Sequence, residues 1–139
     1  AARAEFVAKT LKPATASGQT VIIDRFADST RAYQGGGSFV SDPNMIITIN
    51  LFNEMALQGI KPDLTIFLDI SINEMIRRRS LSKAKDAYFE ENCSQGYFSR
   101  TRHEYLRIAH DEPTRFKVVD GEPAIDRVWA DVLKLVQEL

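Results

Sequence analysis

Three short apolar runs constrain this chain more than any other feature. Each is the length of a strand and each stops at an aspartate: residues 20–24 end at Asp24, residues 63–69 at Asp69, and residues 116–119 run into Asp120. The runs are apolar on both faces, which suits strands covered above and below. Helical patterns separate them, and strands alternating with helices predict an α/β fold with a parallel sheet. Ligands of such sheets bind outside the carboxyl ends of the strands. The polar residues after each aspartate are therefore the places to look for chemistry.

Between the runs the periodicity is helical. Residues 1–17 place Phe6, Val7, Leu11 and Ala14 near one face, with Pro13 set to kink the last turn and Gly18 to end it. Residues 27–34 read as a short helix or turn, and Gly35, Gly36 and Gly37 as a flexible loop. Asp42-Pro43 is an N-cap followed by proline at the first helical position. Met45, Ile49, Phe52 and Ala56 make the apolar stripe of the helix that follows, which Gly59 closes. A short helix over 72–79 ends in three arginines, residues 80–89 read as a loop, and residues 90–110 as a longer helix with Phe98, Tyr105 and Ile108 inward. The last helix begins at Pro123; Ile125, Val128, Trp129, Val132, Leu133 and Val136 give it the cleanest amphipathic stripe in the chain.

Composition excludes several classes. At 139 residues the chain fits one domain with a real core. Eighteen Lys and Arg against 19 Asp and Glu give a net charge of −1, so no global field favours nucleic acid or an anionic membrane. Affinity for phosphate must come from local clusters of arginine and lysine. The single cysteine, Cys93, excludes an internal disulfide and suits the reducing cytoplasm. No apolar run is long enough to span a membrane, and no signal-peptide pattern is present. His103 and His110 share one helix but not a ligand set, so no residue is assigned as a metal ligand.

The densest polar chemistry follows Asp24. Arg25 stands where a strand stops, and its planar fork of donors matches a pair of phosphate oxygens; the alternative is an ion pair with Asp24 or Asp28. Thr30 and Gln34 share a helix face and either meet a base edge or serve as caps and surface. Tyr33 either packs flat on a sugar or base or belongs to the core.

These residues carry a resemblance. Asp24-Arg25-Phe26 followed by Asp28-Ser29-Thr30-Arg31-Ala32-Tyr33-Gln34-Gly35 resembles the Asp-Arg-aromatic and Ser-Thr-x-Ala-Tyr-Gln-Gly signature of bacterial thymidylate kinases. Ala1-Ala2-Arg3, Lys12-Pro13-Ala14 with Gly18, Lys61-Pro62-Asp63-Leu64-Thr65 with Phe67-Leu68-Asp69, and Tyr97-Phe98-Ser99-Arg100-Thr101-Arg102 are similar to further family segments in the same order. The resemblance implies a P-loop kinase-type three-layer αβα domain spanning residues 1–139, with three of five expected strands and a lid near 80–89. It implies phosphoryl transfer from ATP to thymidine monophosphate (dTMP) with Mg2+, in a cytoplasmic homodimer without nucleic acid or membrane. Arg25 would hold the acceptor phosphate and Asp24 would lie near the magnesium; these two form the catalytic set. Arg3 would meet the thymine edge, with Thr30 and Gln34 lining the base pocket and Tyr33 beneath the deoxyribose. Arg78 would stack on adenine, which Asp120, Gly121 and Glu122 would border.

Two departures from the family pattern stand out. No Gly-x-x-x-x-Gly-Lys-Ser/Thr occurs, so the ATP-phosphate cradle and a strand between the first two runs are expected upstream of Ala1. Without that strand, the residues given are expected not to fold stably alone. The lid reads Asp86-Ala87-Tyr88-Phe89-Glu90-Glu91, with no arginine; Lys83 and Lys85, with Arg77, Arg78 and Arg79, would close over ATP, or the segment is a solvated loop. Two other readings stand beside thymidylate phosphorylation: a P-loop kinase for another small acceptor, and a non-catalytic remnant that keeps nucleotide binding or dimerisation only.

Overall fold

The structure, a computed structural model, describes residues 2–38, 42–81 and 94–139. The chain divides into two compact units, Ala1–Pro62 and Asp63–Leu139.

The first unit opens with α1, residues 2–16, in which Ala2–Phe6 and Lys12–Ala16 flank a wider π-helical stretch, Val7–Leu11. Pro13 explains the widening. It has no N–H to offer the Lys9 carbonyl and its ring crowds that oxygen. The turn ahead of it opens, and the Lys12 N–H reaches back to the Val7 carbonyl. Val7 and Leu11 are buried. Gly18 ends the helix at φ +77°; its N–H donates to the Thr15 carbonyl at 3.0 Å and the Gln19 N–H to the Ala14 carbonyl at 3.1 Å. This double return satisfies two otherwise orphaned carbonyls.

The expected strand over 20–24 does not form. Val21 is 36% exposed and Ile22 94%. A strand exists through its ladder of hydrogen bonds, and the described residues offer this run no partner. The strands expected at three places are therefore two. The helix that follows, α2, is longer than expected: Ala27–Thr30 runs on as a π-helical Arg31–Ser38. Gly35, Gly36 and Gly37 lie buried in it rather than in a flexible loop.

Helix α3, Pro43–Leu57, starts as expected. The Asp42 carboxylate accepts from the Asn44 and Met45 N–H groups at 3.0 and 3.2 Å, and the chain leaves through Gln58 and Gly59 at φ +51° and +84°. Its buried line is Ile49, Asn53 and Leu57. The expected stripe splits, because Phe52 is 63% exposed. Ile47, Leu51 and Met55 are exposed as well.

In the second unit β1, Thr65–Asp69, pairs in parallel with β2, Phe116–Asp120, and Asp69 lies opposite Asp120. Helix α4, Ile72–Leu81, continues past the expected end at residue 79. Helix α5, Gln95–Asp111, starts at Ser94, whose hydroxyl accepts from the Tyr97 N–H at 3.2 Å; the expected start at 90, Cys93 and most of the expected lid lie outside the described residues. Tyr105 of α5 stacks on Phe67 at 4.6 Å and leans on Phe116 at 6.3 Å. Ile108, Phe116 and Val119 are the buried core of this unit, with Phe67 and Tyr105 half-buried. Helix α6, Ile125–Gln137, packs on β2, yet Ile125, Trp129, Leu133 and Val136 of its stripe are exposed. No described helix is long and apolar enough to cross a membrane.

Candidate functional site

In the first unit the polar residues converge on Arg3. It sits in the first turn of α1, where a cation opposes the helix dipole, so its position needs another account. Its Nη1 donates to Asn53 Oδ1 at 2.6 Å and its Nη2 to Thr30 Oγ1 at 2.6 Å and the Phe26 carbonyl at 3.4 Å. The guanidinium also lies 5.7 Å from the Phe26 ring centroid. Residues far apart in sequence thus meet around one cation, and its burial lowers its pKa from the ordinary arginine value because the charged form loses water. Among the described residues Nε–H and one hydrogen on Nη1 make no bond. Asn53 is the member that sequence reasoning missed. The available signal was a polar residue in line with Ile49 and Leu57 on the buried face of α3.

Arg25 stands apart from that cluster. Its φ of +66° is left-handed, a region that costs an L-residue with a side chain. Its guanidinium lies 5.3 Å over the Tyr33 ring, and it makes no ion pair among the described residues. The two alternatives raised for it thus narrow: neither Asp24 nor Asp28 pairs with it. Asp24 is exposed at the bend beside it. Gln34 is exposed on α2, and Tyr33 is half-buried.

In the second unit a different set of residues meets at the carboxyl ends of β1 and β2. The Gly121 N–H donates to the Asp69 carbonyl at 2.8 Å. A side chain at Gly121 would place its first carbon 3.0 Å from Ile70 Cγ2 and 3.2 Å from the Asp69 oxygen; glycine allows that close approach. The Asp120 carboxylate accepts from the Glu122 N–H at 3.0 Å, and Glu122 Oε1 accepts from the Ser71 N–H at 3.0 Å; the Ser71 hydroxyl first, and then its N–H, lower the Glu122 pKa from the ordinary carboxylate value. Arg78 donates to the Glu122 carbonyl at 3.0 Å through Nη2 and to Glu74 Oε1 at 2.6 Å through Nε. Nε and Nη2 of its plane are thus held. Arg78, Asp120, Gly121 and Glu122, expected to act together, are brought together.

Two further residues support that set. Glu74 accepts from Arg77 as well as Arg78, and these charge-assisted bonds pull its carboxyl down to about 2. Arg102 grips Asp69 with both arms, Nε to Oδ1 at 2.5 Å and Nη2 to Oδ2 at 2.7 Å, and the pairing raises the Arg102 pKa. Lys83 and Lys85 lie outside the described residues. Among those residues, no three His, Cys, Asp or Glu side chains cluster to hold a metal ion.

Comparison with known proteins gives a consistent picture. The family model for thymidylate kinase matches residues 1–132. A thymidylate kinase of Cupriavidus pinatubonensis is 35% identical over 139 residues, covering 100% of this chain and 66% of that protein. One from Symbiobacterium thermophilum is 37% identical over 139 residues, covering 62% of its own length. A crystal structure of thymidylate kinase from Ehrlichia chaffeensis superimposes with a TM-score of 0.70 at 27% identity, over 97% of this chain and 58% of that one. The chain thus spans a little under two thirds of the length of these relatives. The likeness bears out the α/β architecture expected from the alternating elements and the P-loop kinase type implied by the resemblance.

Proposed function

This chain belongs to the thymidylate kinase family, and from that premise we propose that the whole protein transfers the γ-phosphoryl group of ATP to dTMP, giving thymidine diphosphate for dTTP synthesis. The observation that carries the reading is the Arg3 cluster, where Thr30 and Asn53 hold a half-buried guanidinium with donors to spare. A base with carbonyl acceptors on its edge fits that arrangement. Arg25, exposed and without a carboxylate partner among the described residues, takes the acceptor phosphate; Tyr33 beneath it packs against the deoxyribose, and Gln34 completes the base pocket. Phosphoryl transfer asks the protein for positioning and charge neutralisation rather than covalent chemistry, and arginines of this kind supply both.

The donor nucleotide would use the second unit's residues. Arg78, pinned by Glu74 and Glu122, presents a flat face to adenine, and the loop of Asp120, Gly121 and Glu122 borders it. Lys83 and Lys85 serve the lid. Magnesium in such reactions is carried largely by phosphate oxygens and water. Asp24, exposed and without a hydrogen bond among the described residues, would be the carboxylate that holds its water. Bound magnesium would neutralise charge on the transferring group.

A homodimer in the cytoplasm, with no nucleic acid or membrane partner, completes the reading. Ile47, Leu51, Phe52 and Met55 on α3 give it an exposed apolar face to bury. The test is a coupled assay of ADP release by the whole protein with ATP, magnesium and dTMP. Release that depends on dTMP is expected. Nucleotide binding without any turnover would replace this reading with that of a non-catalytic remnant.

A further inference from the structure

We propose that Asn53 is the positioning residue that orients the Arg3 guanidinium and thereby sets selectivity for a thymine base. This deepens the reading of Arg3 as the base contact and rests on it. Asn53 is 4% exposed, on the buried line of α3. Both ends of its amide are committed: Oδ1 accepts from Arg3 Nη1 at 2.6 Å, and Nδ2 donates to the Ala27 carbonyl at 2.9 Å. Turning the amide over would set NH2 against the guanidinium and oxygen against a carbonyl oxygen, two repulsive contacts. The Ala27 carbonyl therefore fixes which way Asn53 faces, and Asn53 fixes where Nη1 lies.

Thr30 holds the other arm. A planar fork anchored at both Nη atoms has one orientation left, which decides where its spare donors aim. A leucine at position 53 would match its buried neighbours Ile49 and Leu57 at no desolvation cost, so the amide is explained by what it orients. The chemistry that benefits is discrimination at the base edge. Thymine offers a carbonyl oxygen where cytosine offers an amino group. A donor held in place favours the first and opposes the second, whereas a mobile arginine does so less.

Equilibrium binding of dTMP and of its cytosine counterpart dCMP to the whole protein, without ATP, tests this by calorimetry. Asn53→Leu removes the amide; Asn53→Asp keeps an acceptor for Arg3 and sets an oxygen against the Ala27 carbonyl in place of the donor. Asn53→Leu is expected to weaken dTMP binding about tenfold, the scale of one charge-assisted hydrogen bond, and to narrow the dTMP/dCMP ratio. Asn53→Asp should keep the ratio within about threefold of wild type, at a lower melting temperature. In an Arg3→Ala background Asn53→Leu should add little, since the two act as one unit. Wild-type affinity and ratio in Asn53→Leu would overturn the proposal, as would an undiminished tenfold loss in the Arg3→Ala background. If Asn53→Leu does not fold, Asn53→Asp decides alone, and a ratio fallen to the Arg3→Ala level overturns it. If Arg3→Ala itself leaves dTMP affinity and the ratio unchanged, the base-contact reading fails and takes this proposal with it.

Discussion

Arg25 offers a way to separate backbone strain from ligand binding at one position. Its φ of +66° lies in the left-handed region, where a residue with a Cβ pays roughly 1–2 kcal/mol. Arg25→Gly removes that cost but returns about 0.5–1 kcal/mol through the greater freedom of glycine in the unfolded chain. Arg25→Ala keeps the strain. Both variants lose the guanidinium that lies 5.3 Å over Tyr33, a contact worth about 0.5–1 kcal/mol at an exposed position, and that loss cancels between them. The glycine variant should therefore be more stable than the alanine variant by about 0.5–1 kcal/mol in urea unfolding. Activity should not follow stability. If Arg25 grips the acceptor phosphate, either change removes charge-assisted bonds of about 1.5–3 kcal/mol and raises the KM for dTMP roughly ten- to hundredfold. Arg25→Lys keeps the charge without the fork and should fall between. Equal stability of the alanine and glycine variants would refute the strained backbone. A wild-type KM in Arg25→Gly would refute the phosphate contact.

Three further outcomes follow from other parts of the chain. Gly121→Ala should destabilise by about 1–3 kcal/mol, because the new carbon meets the Asp69 oxygen at 3.2 Å and Ile70 at 3.0 Å; calorimetry should show weaker ATP binding with dTMP binding unchanged, and an unaltered melting temperature would count against the close approach. Glu74, held down at about 2 from an ordinary 4.5 by Arg77 and Arg78, lends stability that is present above about 4.5 and lost as pH falls toward about 2. The melting-temperature gap between wild type and Glu74→Gln should be widest near neutrality and close by pH 2 or so. Asp42→Ala leaves the Asn44 and Met45 N–H groups without their cap and should cost about 1 kcal/mol of stability, read as a lowered urea midpoint.

Local signals were the legible part of the fold. Asp42-Pro43, Gly18 and Gly59 act within a few residues of themselves, and each starts or stops a helix where expected. The paired strands were legible for the same reason: each carries its own apolar run, and each run finds the other. Residues 20–24 carry an equally good run and form no strand, since pairing is a property of two segments and only one was being read. The three glycines misled in the opposite direction. Glycine permits a loop but does not require one, and buried against its neighbours the segment stays helical through Gly37. The stripe on α6 was visible as periodicity, but periodicity cannot say what covers it; Trp129 remains 60% exposed.

The candidate site divides along the same line, and its arginines make the reason plain. In sequence Arg3, Arg25, Arg78 and Arg102 are four equivalent cations beside polar neighbours. Their partners separate them, and those partners lie up to 50 residues away. Arg102 spends Nε and Nη2 on one carboxylate, which makes it a brace for the end of β1. Arg78 is held through Nε and Nη2; Arg3 is held through both Nη atoms, and among the described residues its Nε–H makes no bond. Arg25 has no carboxylate partner among the described residues and sits on a left-handed backbone. A cation that folding leaves uncompensated at a strained position is one whose counter-charge arrives with the ligand. By that criterion Arg25 is the one of the four whose surroundings fit the proposed phosphate contact. The proposed base contact depends on a buried amide that no motif announces.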